Sequence, residues 1–142
     1  EAGRLLGCPA QQISSDRFAA VRALQVKTGA VALLKGAGTL LAFPDADAPV
    51  DICLEGNPGM ASGGMGDVLA GICGAMLALV RSQGRTHATG FDASTAARLA
   101  VCAHGEAADR AAEVSGQRGL LATDLLAHLP MLLSGIAKGR QQ

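Results

Sequence analysis

The chain has 142 residues, 49% of them hydrophobic and 17% charged, with 12 basic and 12 acidic residues in balance. This is one domain's length with material for a core, which excludes the low-hydrophobicity, high-charge class of disordered chains. No basic excess exists to hold phosphate backbones in bulk, and three Phe without Trp or Tyr make no stacking platform, so nucleic acid is not an expected partner.

Twenty-eight alanines and 19 glycines take the place of aromatics. Small side chains let elements approach closely, and glycine lets backbone approach a ligand. The longest uncharged apolar stretch, Val68 to Val80, has 13 residues. It is too short to span a bilayer and is expected to be a buried helix, so no membrane association is expected. The sequence opens on Glu1 rather than Met, which we read as a cut N-terminus, and no signal peptide is visible. Cys8, Cys53, Cys73 and Cys102 show no CxxC spacing. They indicate neither a zinc site nor a redox pair. Four small buried hydrophobes in a reducing cytoplasm are the expectation.

In chain order, Ser14 or Ser15 is expected to cap a helix running toward Lys27, with Asp16 in its first turn and Gly29 just past its end. Phe18, Val21, Leu24 and Thr28 fall near helical spacing and form its packing face. The continuous apolar run Ala30 to Leu34 reads as a strand buried on both faces, as in a parallel sheet. Lys35-Gly36-Ala37-Gly38 breaks it. Thr39 to Phe43 and Val50 to Leu54 read as strands around the turn chemistry of Pro44 to Pro49, so residues 39–54 form a hairpin. A glycine-rich loop, Gly56 to Gly66, opens onto the apolar helix from about Val68. Gln83 to Gly90 is a polar connector. Asp92 caps a long Ala-rich helix to about Val114, ended by Ser115 to Gly119. A last helical stretch starts near Thr123, and Pro130 is expected to kink or split it. The pattern is α/β with few strands for so much helix.

The strongest chemical signal is Gly56-Asn57-Pro58-Gly59-Met60-Ala61-Ser62-Gly63-Gly64-Met65-Gly66-Asp67. Five glycines leave backbone N–H groups exposed, and the last ones enter a helix directly. A helix N-terminus carries unpaired N–H groups and partial positive charge, a natural seat for phosphate. Asp67 stands at the same end, where a carboxylate can take a proton from a reacting hydroxyl. The glycine amides can meet charge developing on phosphoryl oxygens. The pattern is neither a Walker A loop, since Met65 stands where Lys is required, nor the dinucleotide fingerprint, since Leu69 stands where Gly or Ala is required. Ser62 lacks the flanking residues of a nucleophile elbow. The plain alternative is a loop entering a helix, with Asp67 an ordinary cap.

Lys35-Gly36-Ala37-Gly38-Thr39 is the second signal. An ammonium and bare backbone at the end of a strand can meet a nucleotide; the alternative is a tight turn with Lys35 snorkelling outward. His104, Glu106 and Asp109 do not match HExxH and read as a solvated helix face. His87 and His128 read as loop or surface residues. Arg118 either reaches an anion or is a plain helix-end arginine. Met60 and Met65 flank the loop as pocket lining, and Met76 and Met131 are core filler.

Val31-Ala32-Leu33-Leu34-Lys35-Gly36-Ala37-Gly38-Thr39, the Gly56 to Asp67 string with Val68-Leu69-Ala70-Gly71, His104-Gly105 and Arg118 to Leu125 together resemble the NAD(P)H-hydrate dehydratases, over nearly all of the chain. The resemblance implies a ribokinase-like, three-layer α/β/α sandwich. It also implies an enzyme that removes water from hydrated NADH or NADPH, phosphorylating the hydrate hydroxyl from ADP or ATP and then eliminating phosphate. ADP is the expected donor, because the Ala- and Gly-rich style fits a bacterial source. By the resemblance, Lys35, Gly36, Ala37, Gly38, Thr39 and Gly66 contact the nucleotide. Asn57 and Asp67 contact the hydrate, and Asp67 is the base. Gly63, Gly64, Met65 and Gly66 form the anion hole. Mg2+ assists without a dedicated protein ligand, and a homo-oligomer is expected. The family domain is about twice this length. The upstream half, with its HPGE-type segment, has no counterpart here. Residues 1–142 are therefore expected to be the C-terminal part of one domain, with an incomplete parallel sheet, an exposed strand edge and poor catalysis in isolation. The alternatives are a small-molecule kinase of the same fold, also using Asp67 as base, and a non-catalytic nucleotide-binding module.

Overall fold

A computed structural model of the chain describes residues 1–82 and 92–138. The connector expected at Gln83 to Gly90, with His87, lies outside the described residues. The chain divides into two compact units, Glu1–Cys53 and Leu54–Gln142.

The first unit opens with two short helices, α1 (Ala2–Leu6) and α2 (Ala10–Ser15), and a longer one, α3 (Arg17–Thr28). Asp16 caps α3, its Oδ1 accepting the Ala19 N–H at 2.9 Å, and Gly29 ends it at φ +65. The serines expected to cap this helix instead close α2. An aspartate carboxylate adjacent to the helix start outcompetes a hydroxyl one residue earlier, where the backbone is still helical. Ala20, Val21, Leu24 and Gln25 form the buried face, whereas Phe18 and Thr28 are exposed.

Strands β1 (Ala32–Leu34), β2 (Thr39–Ala42) and β3 (Asp51–Cys53) form an antiparallel sheet in the order β1-β2-β3. Leu33 faces Leu41 across the first pair, and Leu40 faces Ile52 across the second. The 39–54 hairpin is as expected. The parallel pairing is not: the four residues between β1 and β2 suffice for an antiparallel connection, whereas parallel neighbours need a crossover of a dozen or more. The more deeply buried strand is β2, where Thr39 is partly buried and Leu40 to Ala42, with Phe43 just after, are nearly inaccessible; in β1 only Ala32 is buried. Val21, Leu24, Ala32, Leu40 and Ala42 make this unit's core.

The second unit is helical. A 3-10 turn (Pro58–Ala61) leads to α4 (Met65–Ser82), followed by α5 (Ala93–Ser115), 3-10 turns at Gln117–Gly119 and Ala122–Ala127, and α6 (Leu129–Lys138). At 18 residues, α4 exceeds the uncharged stretch and is, by length and composition alone, long and apolar enough to cross a membrane. It is not buried all round as expected. Met65, Leu69, Ile72 and Met76 form one buried stripe, while Leu77 and Leu79 are exposed. Asp92 caps α5 by accepting the Thr95 N–H at 2.8 Å. Ala96, Ala100, Ala107, Ala108 and Ala111 of α5 join Met65, Ile72, Met76, Leu120, Leu125 and Leu129 in the core. Alanine on α5 lets α4 and the following turns pack close to its axis. Pro130 falls in the first turn of α6, after the break at His128, where a missing N–H costs nothing.

Three further expectations change. Cys53 is buried, Cys8 and Cys73 are partly buried, and Cys102 is exposed. Burial pushes the Cys73 thiol up from its ordinary pKa. Met131 is 68% exposed rather than core. The face carrying His104, Glu106 and Asp109 is not solvated: His104 is buried and the two acids are half-buried.

Candidate active site

The Lys35–Thr39 loop joins β1 to β2 in the first unit. Gly36 and Gly38 hold it in shape at φ +148 and +65, a region that side-chain-bearing residues rarely adopt. A Cβ at Gly38 would lie 2.8 Å from Ile52 Cδ1. The Arg17 guanidinium, at the start of α3, donates to three carbonyls of this segment: Ala37 at 2.5 Å, Gly38 at 2.7 Å and Leu34 at 3.3 Å. With its carbonyls gathered on one cation, the loop's conformation is set. Lys35 is exposed, its Nζ 3.7 Å from Glu1 Oε2. Such an exposed pair contributes little, so the ammonium remains open to a ligand.

The Gly56–Asp67 loop belongs to the second unit. Asn57 caps the Pro58–Ala61 turn, Oδ1 accepting the Gly59 N–H at 3.0 Å. Its Nδ2 donates to Asp109 Oδ1 at 2.9 Å, and Gly56 N–H donates to Asp109 Oδ2 at 2.8 Å. A carboxylate only accepts and a backbone N–H only donates, so these partners fix which end of the Asn57 amide is which. Gly56 has φ +113 and Gly64 has φ +86. A Cβ at Gly59 would lie 2.4 Å from the Gln117 carbonyl oxygen. Pro58, Gly59, Ala61 and Ser62 with Gln117, Arg118 and Leu120 line a hollow of about 430 Å3.

Helix α4 begins at Met65. Gly64 O accepts the N–H groups of Asp67 at 3.0 Å and Val68 at 3.1 Å. The Met65 and Gly66 amides are thus the first-turn donors that the helix cannot itself use. Gly63 and Gly64 are exposed in the turn before them, and a Cβ at Gly63 would meet nothing within 4 Å. Asp67 is exposed in the same first turn. The structure therefore places Gly63, Gly64, Met65, Gly66 and Asp67 together at one helix end, with first-turn amides that the helix does not use beside a carboxylate. That arrangement can hold an anion and accept a proton. The Met65 side chain, expected to line a pocket, is instead buried in the core, and Met60 packs against it.

Two residues shape these loops in ways sequence reasoning did not assign: Arg17, which it passed over, and Asp109, which it read as solvated. Arg17 sits at a helix N-terminus, where the dipole disfavours a cation, and that placement is its signal. Asp109 interrupts an Ala-rich helix face one turn after Gly105.

A family model described as NAD(P)H-hydrate dehydratase matches residues 1–131. The chain is 51% identical over 134 residues to the bifunctional NAD(P)H-hydrate repair enzyme Nnr of Vibrio cholerae, covering 94% of this chain and 24% of that protein. It is 47% identical over 135 residues to the enzyme of that name from Escherichia coli, covering 94% and 24%. Among solved structures it is similar to the ADP/ATP-dependent NAD(P)H-hydrate dehydratase of Bacillus subtilis co-crystallised with ATP/Mg2+ and soaked with CoA. The TM-score is 0.77 at 30% identity, over 93% of this chain and 44% of that one. The chain thus has the fold of those dehydratases as a partial, helix-rich α/β domain. It spans about a quarter of the length of the curated relatives and under half of the solved chain.

Proposed function

The chain belongs to the NAD(P)H-hydrate dehydratase family, and we propose that the protein carrying it restores hydrated NADH or NADPH by nucleotide-dependent dehydration. We place residues 1–142 as the C-terminal part of one ribokinase-like domain, in a cytoplasmic homo-oligomer. The observation that carries the proposal is the α4 N-terminus, where the Met65 and Gly66 amides are unused by the helix and the Asp67 carboxylate stands exposed beside them.

From the family resemblance we assign nucleotide contacts to Lys35, Gly36, Ala37, Gly38, Thr39 and Gly66, and hydrate contacts to Asn57 and Asp67. The Asp67 carboxylate takes the hydroxyl proton while the hydroxyl oxygen bonds to the transferred phosphorus and the bond to the nucleotide leaving group breaks. The Gly63 to Gly66 amides meet the charge on the phosphoryl oxygens. The C–O bond then breaks, phosphate leaves with the former hydroxyl oxygen, a proton is lost from the adjacent ring carbon to water, and the C=C of the dihydronicotinamide forms. Mg2+ prefers oxygen ligands and keeps several waters, so the nucleotide phosphates and waters would hold it without a dedicated protein ligand, which leaves Asp67 to take the proton. When bound, the ion neutralises phosphate charge.

The test uses the full natural chain with hydrated NADH, Mg2+ and either ADP or ATP, following the absorbance of reduced nicotinamide. We expect recovery that requires a nucleotide, with ADP the donor. Nucleotide binding without recovery would remove the dehydratase assignment and favour a kinase of the same fold.

A further inference from the structure

We propose that Asp109 is a positioning residue. Together with Asn57 it forms a polarity-matched pair that holds the Gly56–Gly59 segment in its substrate-binding shape; this rests on the dehydratase function proposed above. One carboxylate from the middle of α5 takes both the Gly56 N–H, at 2.8 Å, and the Asn57 Nδ2, at 2.9 Å. The Asn57 amide in turn takes the Gly59 N–H at 3.0 Å. Three consecutive contacts thus run from a helix into a loop whose own backbone bonding begins only with the Pro58–Ala61 turn. Asn57 keeps one N–H and one lone pair for a substrate, and Asp109 decides how the amide is turned when it offers them.

The loop is pressed on both sides of this pair. Gly105, one turn before Asp109, lets the Glu55 carbonyl approach to 2.7 Å of where a Cβ would stand. Gly59 lets the Gln117 carbonyl oxygen approach to 2.4 Å of its own such position. Both neighbours are backbone, so neither can swing aside as a flexible side chain would. The tight packing supplies rigidity, and Asp109 supplies direction. Asp109 touches no reacting atom in this scheme and acts through Asn57.

The pair can be tested by exchanging its polarity. In Asp109→Asn, the new amide accepts one donor but turns its own NH2 toward the other, so one bond is lost. In Asn57→Asp, two carboxylates face each other. In the double variant, the carboxylate at 57 accepts from the Gly59 N–H and from the amide at 109, whose oxygen accepts the Gly56 N–H. All three bonds return with the charge moved. In the full natural chain we expect each single variant to lose ~10- to 100-fold in kcat/KM for hydrated NADH. The loss falls on the KM for the hydrate, while affinity for the nucleotide, assigned chiefly to Lys35–Thr39, changes less. The double variant loses less than the product of the two single losses but stays below the parent, because the carboxylate at 57 has no N–H to offer the hydrate.

Losses that simply multiply in the double variant overturn the proposal. So does a smaller active fraction with neither KM moved, which is what a merely structural contact would give. An inactive parent protein fails the dehydratase assignment, and the same variants then decide the pair by hydrogen exchange at the Gly56 and Gly59 amides. Protection lost at either amide in Asp109→Asn and regained in the double variant supports it, and protection unchanged at both throughout overturns it.

Discussion

Gly105→Ala puts two opposed magnitudes in one substitution. In an open helix interior, replacing Gly by Ala gains ~0.8–1.0 kcal/mol through backbone entropy. At Gly105 the new Cβ would stand 2.7 Å from the Glu55 carbonyl oxygen and 2.8 Å from its carbonyl carbon and Cβ, where real contacts stay beyond 3.0 Å. The obstacle is mostly backbone and cannot swing aside. The Glu55–Asn57 segment must lift from α5 by several tenths of an ångström, and overpacking of this kind costs ~1–3 kcal/mol. Lifting also stretches the two contacts to Asp109, at 2.8 and 2.9 Å. Hydrogen bonds to a charged group contribute ~1.5–3 kcal/mol when intact. The steric and hydrogen-bond losses outweigh the entropy gain, and we expect net destabilisation of ~1–3 kcal/mol. Gly74→Ala in α4 is the control, since a Cβ there meets nothing within 4 Å; it should be neutral or stabilising by up to ~1 kcal/mol. Residues 1–142 hold no Trp or Tyr to report on them locally, and urea unfolding of the full natural chain is followed by far-ultraviolet circular dichroism. A Gly105→Ala variant as stable as the parent, or more so, would refute the packing argument, because its sign rather than its size is at stake.

Asp67→Asn should lower turnover ~10²- to 10⁴-fold with folding and nucleotide affinity nearly unchanged, and retained turnover would remove Asp67 as the base. Arg17→Ala should weaken nucleotide binding by ~10-fold, measured by calorimetry, because the Lys35–Thr39 loop loses the cation that gathers its carbonyls. Arg17→Lys should not rescue it, since an ammonium lacks the guanidinium fork, and unchanged affinity in either variant would show that the loop keeps its shape without the clip. Asp92→Ala should cost ~0.5–2 kcal/mol through loss of the α5 cap. The Thr95 N–H holds the Asp92 carboxyl below its ordinary pKa. The cap's contribution is therefore complete above the ordinary aspartate value and is lost as pH falls through the lowered one. The stability gap between parent and variant should close in acid, and a gap constant with pH would contradict this.

Local signals in the sequence were strong wherever one residue decides the backbone. Asp92, Gly29 and Pro130 marked helix limits, and the Pro44–Pro49 turn with its flanking apolar runs marked the hairpin. Composition alone did not reveal which strand is buried. Ala30 to Leu34 and Leu40 to Phe43 are both apolar runs, and only the sheet order puts the second in the middle. The parallel expectation failed because a strand rich in apolar residues carries no direction, whereas the four-residue connection does. The Gly63–Asp67 placement at a helix start was legible, because consecutive glycines before an apolar helical run can only be a turn and a first helical turn. Arg17 and Asp109 were not, since each acts on residues 17 to 53 positions away, and one sequence gives no sign of such pairing.

The alanine content has one physical consequence that joins fold to site. Helix α5 packs through Ala96, Ala100, Ala107, Ala108 and Ala111, side chains with no rotamers to lose on burial. A helix packed this way is stiff and close to its neighbours. Gly105 and Asp109 stand four residues apart on it, one turn apart on one face. The first meets the Glu55 carbonyl, and the second takes the Gly56 N–H and Asn57 Nδ2. The helix therefore offers one strip, a gap followed by an acceptor, against which three consecutive loop residues are aligned. Replacing the buried alanines with larger side chains would push neighbouring elements away from α5 and spoil the site without touching any residue in it. Small side chains here serve geometry as much as stability, since a loop held by a single carboxylate is only as well placed as the helix that carries that carboxylate.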